Sequence, residues 1–366
     1  MSALAAAVEP ARSAAAAVVP ARIALLGTGT VGSAVLTRLS AWSGLPLGKR
    51  LSLVHVANSR QAASDRSGLA PDEAGQRLML APQSSSLDAI EAALRGVGPR
   101  IVIDATASEA VAERHAHWLA QGIHVVTACK IGQGTSLSRW RSIRVAAAAG
   151  DTGYGDSATV GAGLPLLRSL RELQAGGDRI HAIAGVLSGS LAWLFNHYDG
   201  MRPFSALVRQ ARDAGYTEPD PRDDLSGEDV RRKLLILARA AGVELEAADV
   251  DVTSLVPAEL AILSRDGVDA ALPALDAPLR ERYAAAYKRG ERLRFIARLQ
   301  DGRARVGLES LPADHPLAGG AGTDNRVAIW SDRYREQPLL IQGPGAGAEV
   351  TAAGLLDDVL RIAGRR

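Results

Sequence analysis

The chain of 366 residues contains a single cysteine, Cys129, so no disulfide can form within it. A lone thiol fits a reducing compartment, and we therefore expect a cytoplasmic protein. The formal net charge is only +2 and no basic stripe stands out, which gives no reason to expect a nucleic-acid partner. No apolar run approaches the roughly 20 residues that cross a bilayer, so no membrane anchor is expected.

The first twenty residues read MSALAAAVEPARSAAAAVVP, with no basic segment ahead of an apolar one. This is not the pattern of a secretory signal peptide. Glu9, Pro10 and Arg12 interrupt an alanine-rich composition, which predicts a disordered leader over residues 1–20. The remaining length suits two domains, and with 47% hydrophobic residues the chain can bury a sizeable core.

Short apolar, β-branched runs alternate with helical spacing in the first part of the chain. Strands are predicted at IALL, LSLVHVA, RIVID and HVVT, and helices over 31–42 and 109–121. This alternation predicts an α/β fold with a Rossmann-type doubly wound parallel sheet. Further along, a hairpin that turns at Asp301-Gly302 and the strands RVAIW and PLLIQG predict a second, α+β region, and a helix is predicted over 350–363.

A glycine-rich loop lies between the first predicted strand and the first predicted helix. Gly27, Gly29 and Gly32 have the spacing G-x-G-x-x-G. In such a loop the first glycine allows a tight turn, the second lets a pyrophosphate approach the backbone, and the third lets helix and strand pack closely. The helix N-terminus then faces the phosphate. In this strand-turn-helix context the loop predicts a dinucleotide site; the alternative is a tight turn without a ligand.

The end of the second predicted strand bears on which dinucleotide is bound. An NAD-selective site usually carries an acidic residue there for the ribose 2′-hydroxyl, whereas this chain reads Asn58-Ser59-Arg60. An arginine can pair with a 2′-phosphate. We therefore expect NADP, or both NADP and NAD; the alternative is that Arg60 is a solvated loop residue.

The segment GYTEPDPRDDLSGEDVRRK contains six carboxylates from Glu218 to Asp229, followed by a basic cluster. Its first part is predicted to be a loop that Pro219 and Pro221 stiffen. One interpretation is structural: Ser226 is an N-cap with Asp229 three positions later, as in a capping box. Asp229 and Lys233 are four residues apart, and on a helix they would form a routine ion pair.

The other interpretation is functional, because clustered carboxylates need a positive group to offset them. A metal ion, an arginine or a ligand ammonium would serve, and a substrate amino group would suit Glu218 and Asp224. Lys233 could donate a proton to an oxygen that gains negative charge during reduction. Beside a nicotinamide site, this predicts a reductase for an amino-acid-like aldehyde.

Five segments closely resemble the signature motifs of homoserine dehydrogenases: GYTEPDPRDDLSGEDVRRKLLILAR, HVVTACK, ATVGAGLPLLRSL, GVLSGSLAWLFN and GAGAEVTAAG. The resemblance covers nearly all of the chain from about residue 20 onward. It implies NADPH- or NADH-dependent interconversion of L-aspartate 4-semialdehyde and L-homoserine, a step toward threonine and methionine. It also implies a nucleotide-binding domain over 21–155 and 343–366, a catalytic region over 156–291, and strands over 292–342 that pair in a homodimer.

Matched residue by residue, the resemblance implies that Lys233 is the proton donor, with Asp229 beside it and Lys130 near the reacting carbonyl. The substrate contacts that it implies are Glu218, Asp224, Asp229, Ser188, Gly189 and Ser190. Together with the glycine loop, the expected cofactor contacts are Gly27, Thr28, Gly29, Thr30, Val31, Gly32, Asn58, Arg60, Thr106, Lys130, Gly215 and Gly343.

The chain departs from the family pattern at three points. Some relatives bind a monovalent cation such as sodium through a glutamate and backbone carbonyls; here Ser157 replaces the glutamate, which weakens a site formed by the carbonyls of Val160, Ala162 and Leu164. Cys129 stands where the family usually has asparagine. We expect neither an aspartokinase domain ahead of the chain nor a C-terminal regulatory domain after it, and hence a monofunctional enzyme without that feedback control.

Two other functions remain open from the sequence. Cys129 could be the nucleophile of an enzyme that forms a thioester, although no histidine is near in sequence to activate it; otherwise it is a small buried thiol. The chain could also be a non-enzymatic dinucleotide sensor, but a sensor would not need Lys130, Glu218, Asp229 and Lys233 together. The histidines, among them His115, show no metal-ligand spacing.

Overall fold

The computed structural model describes residues 19–82 and 84–364. The predicted leader therefore lies outside the described residues, apart from its last two positions. Among the described residues, none of the helices combines the length and hydropathy that a membrane-spanning segment needs.

The first part of the chain forms a six-stranded sheet with the strand order β3-β2-β1-β4-β5-β6. Its strands are β1 (Ala21–Leu26), β2 (Leu51–Ala57), β3 (Ala62–Ser64), β4 (Arg100–Asp104), β5 (His124–Thr127) and β6 (Tyr154–Gly155). All neighbours pair in parallel except β3, which runs antiparallel to β2. The intervening helices are α1 (Thr30–Ala41), α2 (Ala74–Met79), α3 (Ala89–Ala93), α4 (Glu109–Ala120) and α5 (Leu137–Ala149).

Helices cover both faces of this sheet, which explains why its central strands are apolar throughout. The rest of the chain begins with α6 (Leu166–Ala175), β7 (Ile180–Val186), α7 (Gly189–His197), α8 (Phe204–Asp213), α9 (Pro221–Leu225), α10 (Glu228–Ala240) and β8 (Val250–Val252). It continues with α11 (Ala258–Ala261), α12 (Arg265–Ala271), α13 (Asp276–Lys288), β9 (Glu291–Gln300), β10 (Arg303–Pro312), β11 (Asn325–Ser331), β12 (Leu339–Gly343) and α14 (Ala348–Ala363).

On one face of the first sheet, Val35 of α1 and Leu355 of α14 share a buried cluster with Ile23; on the other, Trp118 of α4 packs with Val102.

The second sheet has the order β12-β11-β7-β9-β10-β8 and is antiparallel except where β8 joins β10. Helices of this region, including α6, α7, α8 and α10, pack on one face in the largest buried cluster. The other face carries Ala184, Ile296 and Ala328, which are fully buried in a cluster with Leu317 from the loop after β10. Trp330 lies next to them and is only half-buried.

The predicted α/β fold class is confirmed, and the main differences lie in short elements. The acidic segment is not a plain loop, because α9 starts within it: Asp220 caps the helix by accepting from the Arg222 amide, and Pro221 occupies the first turn. The predicted capping box differs too. Gly227, with φ of 80°, is the N-cap of α10, and the Ser226 hydroxyl accepts from the Glu228 amide instead.

Candidate active site

A cleft of about 1120 Å³ lies between the carboxyl edge of the first sheet and α10. In open α/β sheets this edge is where ligands bind. The predicted site residues that line the cleft are Thr30, Val31, Thr106, Lys130, Ser188, Gly189, Ser190, Gly215, Glu218, Asp224, Asp229 and Lys233. They come from both halves of the chain, so the cleft brings together most of the residues that the sequence singled out.

The glycine loop has the geometry that its spacing predicts. Gly27 has φ of 90°, and a Cβ there would lie 2.7 Å from the carbonyl oxygen of Ala105. A Cβ on Gly32 would lie 1.8 Å from the carbonyl oxygen of Gly27, so loop and helix can pack this closely only without a side chain. Around Gly29, in contrast, no atom lies within 4 Å of a Cβ position. This leaves open space at the N-terminus of α1, where a pyrophosphate would approach the backbone.

The turn after β2 holds Arg60 at the surface. The side-chain oxygen of Asn58 accepts from the amides of Arg60 and Gln61, each at 2.8 Å. Asn58 is therefore committed to shaping the turn, and Arg60 is exposed beyond it. No carboxylate occupies the end of β2 to hold a ribose 2′-hydroxyl.

Asp229 joins two lysines that come from different parts of the fold. Its Oδ2 lies 2.7 Å from Lys233 Nζ on α10, and its Oδ1 lies 3.4 Å from Lys130 Nζ in the loop after β5. Lys233 Nζ also donates to the carbonyl oxygen of Leu187 at 2.8 Å. Two partners use two of its three N–H donors, which leaves one donor for a ligand in the cleft.

The charge of Asp229 depends on these lysines. Burial alone would raise the pKa of Asp229, but the ammonium groups of Lys233 and Lys130 outweigh it and lower this pKa to about 2. The carboxylate is therefore ionised throughout the neutral range. Its side chain remains 44% exposed toward the cleft, while that of Lys233 is only 12% exposed.

Asp224 is held by hydrogen bonds from two neighbouring segments. The Ser190 hydroxyl donates to its Oδ1 at 2.6 Å, and the Glu218 amide donates to its Oδ2 at 2.8 Å. Ser188 and Ser190 are linked by a 2.8 Å hydrogen bond, and Ser188 caps α7. Burial raises the pKa of Asp224, so a positive ligand would stabilise its charged form. The Glu218 side chain is exposed along the same wall of the cleft.

A buried carboxylate, Asp104, organises the ends of β4 and β5. Its Oδ1 accepts from the Thr106 amide and hydroxyl at 2.9 and 2.7 Å, and its Oδ2 accepts from Thr127 at 3.0 Å. His115 Nε2 lies 3.1 Å from the same Oδ2, and its Nδ1 lies 3.0 Å from the hydroxyl of Tyr154. Thr106 and the end of β5, which leads into the loop that carries Lys130, are thereby fixed to the same carboxylate.

Cys129 lies two residues after Thr127 of this network and shows no feature of a nucleophile. The thiol is buried, and burial together with the nearby charge of Asp104 raises its pKa to about 11. A reactive cysteine needs a lowered pKa and access to solvent. The geometry therefore favours the interpretation of a small packing residue.

Two of the candidate cation ligands, Ser157 and Leu164, have hydrogen-bond partners within the protein. The Ser157 amide and hydroxyl both donate to Asp358 of α14, at 2.9 and 3.0 Å. The carbonyl oxygen of Leu164 accepts from the Leu166 amide, and that of Ala162 faces α14 so closely that a Cβ on Gly354 would lie 2.9 Å from it. The Ser157 hydroxyl therefore has its partner within the protein, and a cation at the carbonyls of Val160, Ala162 and Leu164 stays a prediction. Within residues 19–82 and 84–364, no cluster of three or more His, Cys, Asp or Glu side chains is arranged for a metal ion.

Several cleft residues were not predicted from the sequence. Gly343 ends β12, and the cleft is lined instead by the residues that follow it, Gly345 to Ala348, and by Thr351. Tyr216 also lines the cleft and stacks on Trp193 at 5.2 Å between ring centroids. The available signal was the glycine-rich run GPGAGAE, which leads into the last helix as the first glycine loop leads into α1.

Comparisons with known proteins identify relatives of the chain. The family model described as Homoserine dehydrogenase matches residues 165–360, and the model described as Homoserine dehydrogenase, NAD binding domain, matches residues 27–154. A homoserine dehydrogenase from Emericella nidulans is 37% identical and covers 94% of this chain, which spans 98% of that relative. A crystal structure of a protein of unknown function from Candida auris is 35% identical, with a TM-score of 0.86 over 94% of this chain and 98% of that one.

Other relatives are much longer than this chain. The bifunctional aspartokinase/homoserine dehydrogenase 2 of Zea mays is 45% identical over 267 residues, 72% of this chain, yet the chain spans only 29% of its length. The shared part is therefore one section of a larger protein.

Proposed function

The chain belongs to the homoserine dehydrogenase family, and on that basis we propose that it interconverts L-homoserine and L-aspartate 4-semialdehyde with NAD or NADP. The observation that carries the proposal is the group formed by Lys130, Asp229 and Lys233 at one end of a cleft whose other end is a glycine loop. A group that can donate a proton and a site for a nicotinamide cofactor are the two requirements of a carbonyl reductase. The product would serve threonine and methionine biosynthesis.

The shape of the glycine loop suits a dinucleotide cofactor. The open space at Gly29, between the tight contacts of Gly27 and Gly32, would take the pyrophosphate. Thr30, Val31, Thr106 and Gly215 would line the rest of the cofactor. When bound, the nicotinamide supplies or accepts the hydride.

Lys233 is the proposed proton donor in the direction of reduction. Asp229 and the carbonyl of Leu187 fix its ammonium group, and the remaining N–H would point to the oxygen that becomes the hydroxyl. Lys130 would stabilise negative charge on the same oxygen, because a fixed positive group acts strongly in a site from which water is partly excluded. In oxidation the same proton returns to Lys233.

The carboxylates would hold the amino group of the substrate. Asp224 and Glu218 lie on the wall formed by the acidic segment, and Ser190 orients Asp224 from the turn after β7. An ammonium group near them favours the charged form of Asp224, whose pKa burial raises. Binding of the amino group would place the reacting carbon beside the nicotinamide. Proximity and orientation can lower a reaction barrier by about 7–11 kcal/mol, and this positioning would supply part of that.

The alternative functions find less support. The thioester mechanism needs an accessible thiolate, and the burial of Cys129 opposes it. A dinucleotide sensor would have no use for a proton donor that faces the cleft. We include no cation in the proposal, because the Ser157 hydroxyl is bonded to Asp358.

We also propose that two copies pair through the second sheet. On the face opposite α10, Trp330 of β11 is half-buried beside Ala184, Ile296 and Ala328, which are already fully buried within the chain. The exposed part of this tryptophan would pack against the same face of a second copy. A cytoplasmic location remains part of the proposal, since the single free thiol is preserved in a reducing compartment.

The activity itself is tested by following reduced nicotinamide while L-homoserine is oxidised. We expect turnover by the wild type and a loss of roughly 10²- to 10⁴-fold in kcat for Lys233→Ala, as for removal of a general acid–base group. Lys233→Arg keeps the positive charge but is a poor proton donor, and should also lose most activity. Wild-type protein that binds the dinucleotide but does not oxidise homoserine would contradict the assignment.

Cofactor preference is tested at Arg60. If Arg60 pairs with the 2′-phosphate, Arg60→Ala should weaken NADP binding by roughly 10- to 100-fold, the equivalent of a charge-assisted hydrogen bond. Binding of NAD should not change, which makes NAD the internal control, and Arg66→Ala provides an exposed arginine from beyond β3 as a second control. Equal losses for both dinucleotides, or none, would show that Arg60 does not read the phosphate.

Pairing through the second sheet is tested by light scattering after size exclusion. The wild type should have twice the chain mass of 38.2 kDa. Trp330→Glu should reduce the mass to that of one chain, because it places a charge in the proposed contact. Tyr287→Glu, which changes an exposed aromatic residue on α13, should leave the dimer intact. A dimer that survives Trp330→Glu would mean that another surface pairs.

A further inference from the structure

Arg239 is a charged side chain that the protein buries completely. It lies on α10, six residues after Lys233, and is 1% exposed. A buried guanidinium is costly unless its N–H groups are hydrogen-bonded. Its hydrogen-bond and ion-pair partners belong neither to the glycine loop nor to the charged residues of the cleft, so nothing in the proposed mechanism accounts for it.

All the hydrogen bonds of Arg239 go to main-chain carbonyls of two other segments. Nη1 donates to the carbonyl oxygen of Gln133 at 2.5 Å, and Nη2 donates to that of Thr135 at 2.8 Å. Nε and Nη2 also donate to the carbonyl oxygen of Leu245, at 3.2 and 2.7 Å. The next residue, Glu246, accepts from the Leu137 amide at the start of α5. The guanidinium, whose Nη2 also lies 3.9 Å from Glu246 Oε2, therefore joins α10 to the loop that precedes α5 and to the segment that follows α10.

The residues between β5 and α5, 128–136, form the segment that carries Lys130, here named the Lys130 loop. Its first end is fixed because the Cys129 amide donates to the Thr127 hydroxyl, which is bonded to Asp104. Toward its second end, the carbonyls of Gln133 and Thr135 accept from Arg239, which joins the loop to α10, and Arg139 of α5 donates to the Ile131 carbonyl and the Thr135 hydroxyl. Lys130 thus lies between one anchor in the first sheet and one anchor on the helix of Asp229 and Lys233.

A glycine lets this loop approach α10 closely. A Cβ on Gly134 would lie 2.8 Å from the carbonyl oxygen of Lys130 and 3.1 Å from that of Arg232. The Gly134 amide donates to the same Lys130 oxygen at 2.6 Å. Main chain thus packs against main chain one residue before Lys233, which is a second contact between the loop and α10, independent of Arg239.

We propose that Arg239 is a positioning residue that sets the distance between Lys130 and the Asp229–Lys233 pair by holding the Lys130 loop on α10. The inference rests on the proposed function, in which Lys130 acts on the reacting oxygen. Two lysines on separate segments can share one carboxylate only if the segments keep a fixed spacing. Arg239 supplies that spacing with a rigid, planar group that binds both sides.

A double-mutant cycle separates positioning from general stabilisation. Arg239→Met should lower kcat/KM for L-homoserine by roughly 10- to 100-fold, the cost of misplacing a catalytic group by about 1 Å. Cofactor affinity should be unchanged. If Arg239 acts through Lys130, Arg239→Met should cost almost nothing further in a Lys130→Ala background, because coupled residues are not additive.

Arg294→Met is the matched control. Arg294 is also buried, at 8% exposure, and also donates to main-chain carbonyls, those of Phe195, Leu293 and Ala318. None of these acceptors belongs to the Lys130 loop. We expect comparable loss of thermal stability in the two variants, but at a temperature where both are folded Arg294→Met should keep its activity within about twofold, as for a site independent of the cleft.

Hydrogen exchange gives a readout that does not need activity. The amides of the Lys130 loop should exchange faster in Arg239→Met than in Arg294→Met, since the second anchor of the loop is lost. If Arg239→Met does not fold, Arg239→Lys replaces it in both experiments, because lysine keeps the charge but lacks the planar fork that reaches Gln133, Thr135 and Leu245 together.

The possible outcomes are distinct. The positioning role would be overturned if the losses in kcat/KM from Arg239→Met and Lys130→Ala multiplied in full in the double variant. It would also be overturned if amide exchange in the Lys130 loop did not change. Either result would leave the enzyme assignment intact. A wild-type protein that does not oxidise homoserine would instead overturn the proposed function; faster exchange of the loop in Arg239→Met would then still establish the anchor itself.

Discussion

The active-site geometry depends on one carboxylate, Asp229, that is shared by two ammonium groups. Lys233 reaches it from the same helix and Lys130 from a loop of the first sheet, so the contact fixes how the two halves of the chain meet. Without the carboxylate between them, the ammonium groups of Lys130 and Lys233 would repel each other. The low pKa of Asp229 follows from the same contact, because both lysines favour its ionised form over the effect of burial.

The surrounding structure keeps this arrangement in place from below. Asp104 accepts hydrogen bonds from Thr106, Thr127 and His115 at full burial, which fixes the ends of two strands beneath the cleft. Buried polar networks of this kind specify one geometry, provided that every member has a partner. On the opposite side, Arg239 binds the far end of the Lys130 loop. The flexible lysine side chains are thus carried by backbone that has little freedom to shift.

Local patterns in the sequence predicted the parts of the site that depend on local geometry. The spacing of Gly27, Gly29 and Gly32 fixes a tight turn before a helix, and the four-residue spacing of Asp229 and Lys233 places both on one helical face. The contact of Lys130 with Asp229 is different. It joins residues about a hundred positions apart, so no spacing rule predicts it, and only the family resemblance brought the two together.

The supporting residues were harder to identify from sequence. His115 resembles any helical histidine, and Arg239 resembles any arginine on an amphipathic helix, until the fold buries them both. The start of α9 is not evident from the sequence, because Pro219 and Pro221 fit a stiff loop and proline is equally favoured in the first turn of a helix. The order of the short strands β3 and β8 depends on tertiary pairing, which periodicity over three residues does not reveal.

The most direct measurement of the central claim is the steady-state activity of Asp229→Asn, together with its dinucleotide affinity. The variant keeps the size of the side chain but removes the charge that holds both lysines. The account predicts a loss of roughly a hundredfold or more in kcat with unchanged dinucleotide binding, because the two ammonium groups lose their common anchor. Asp223→Asn, an exposed carboxylate in the same cleft, should have little effect. Wild-type kcat in Asp229→Asn, or an equal loss of kcat in both variants, would contradict this account.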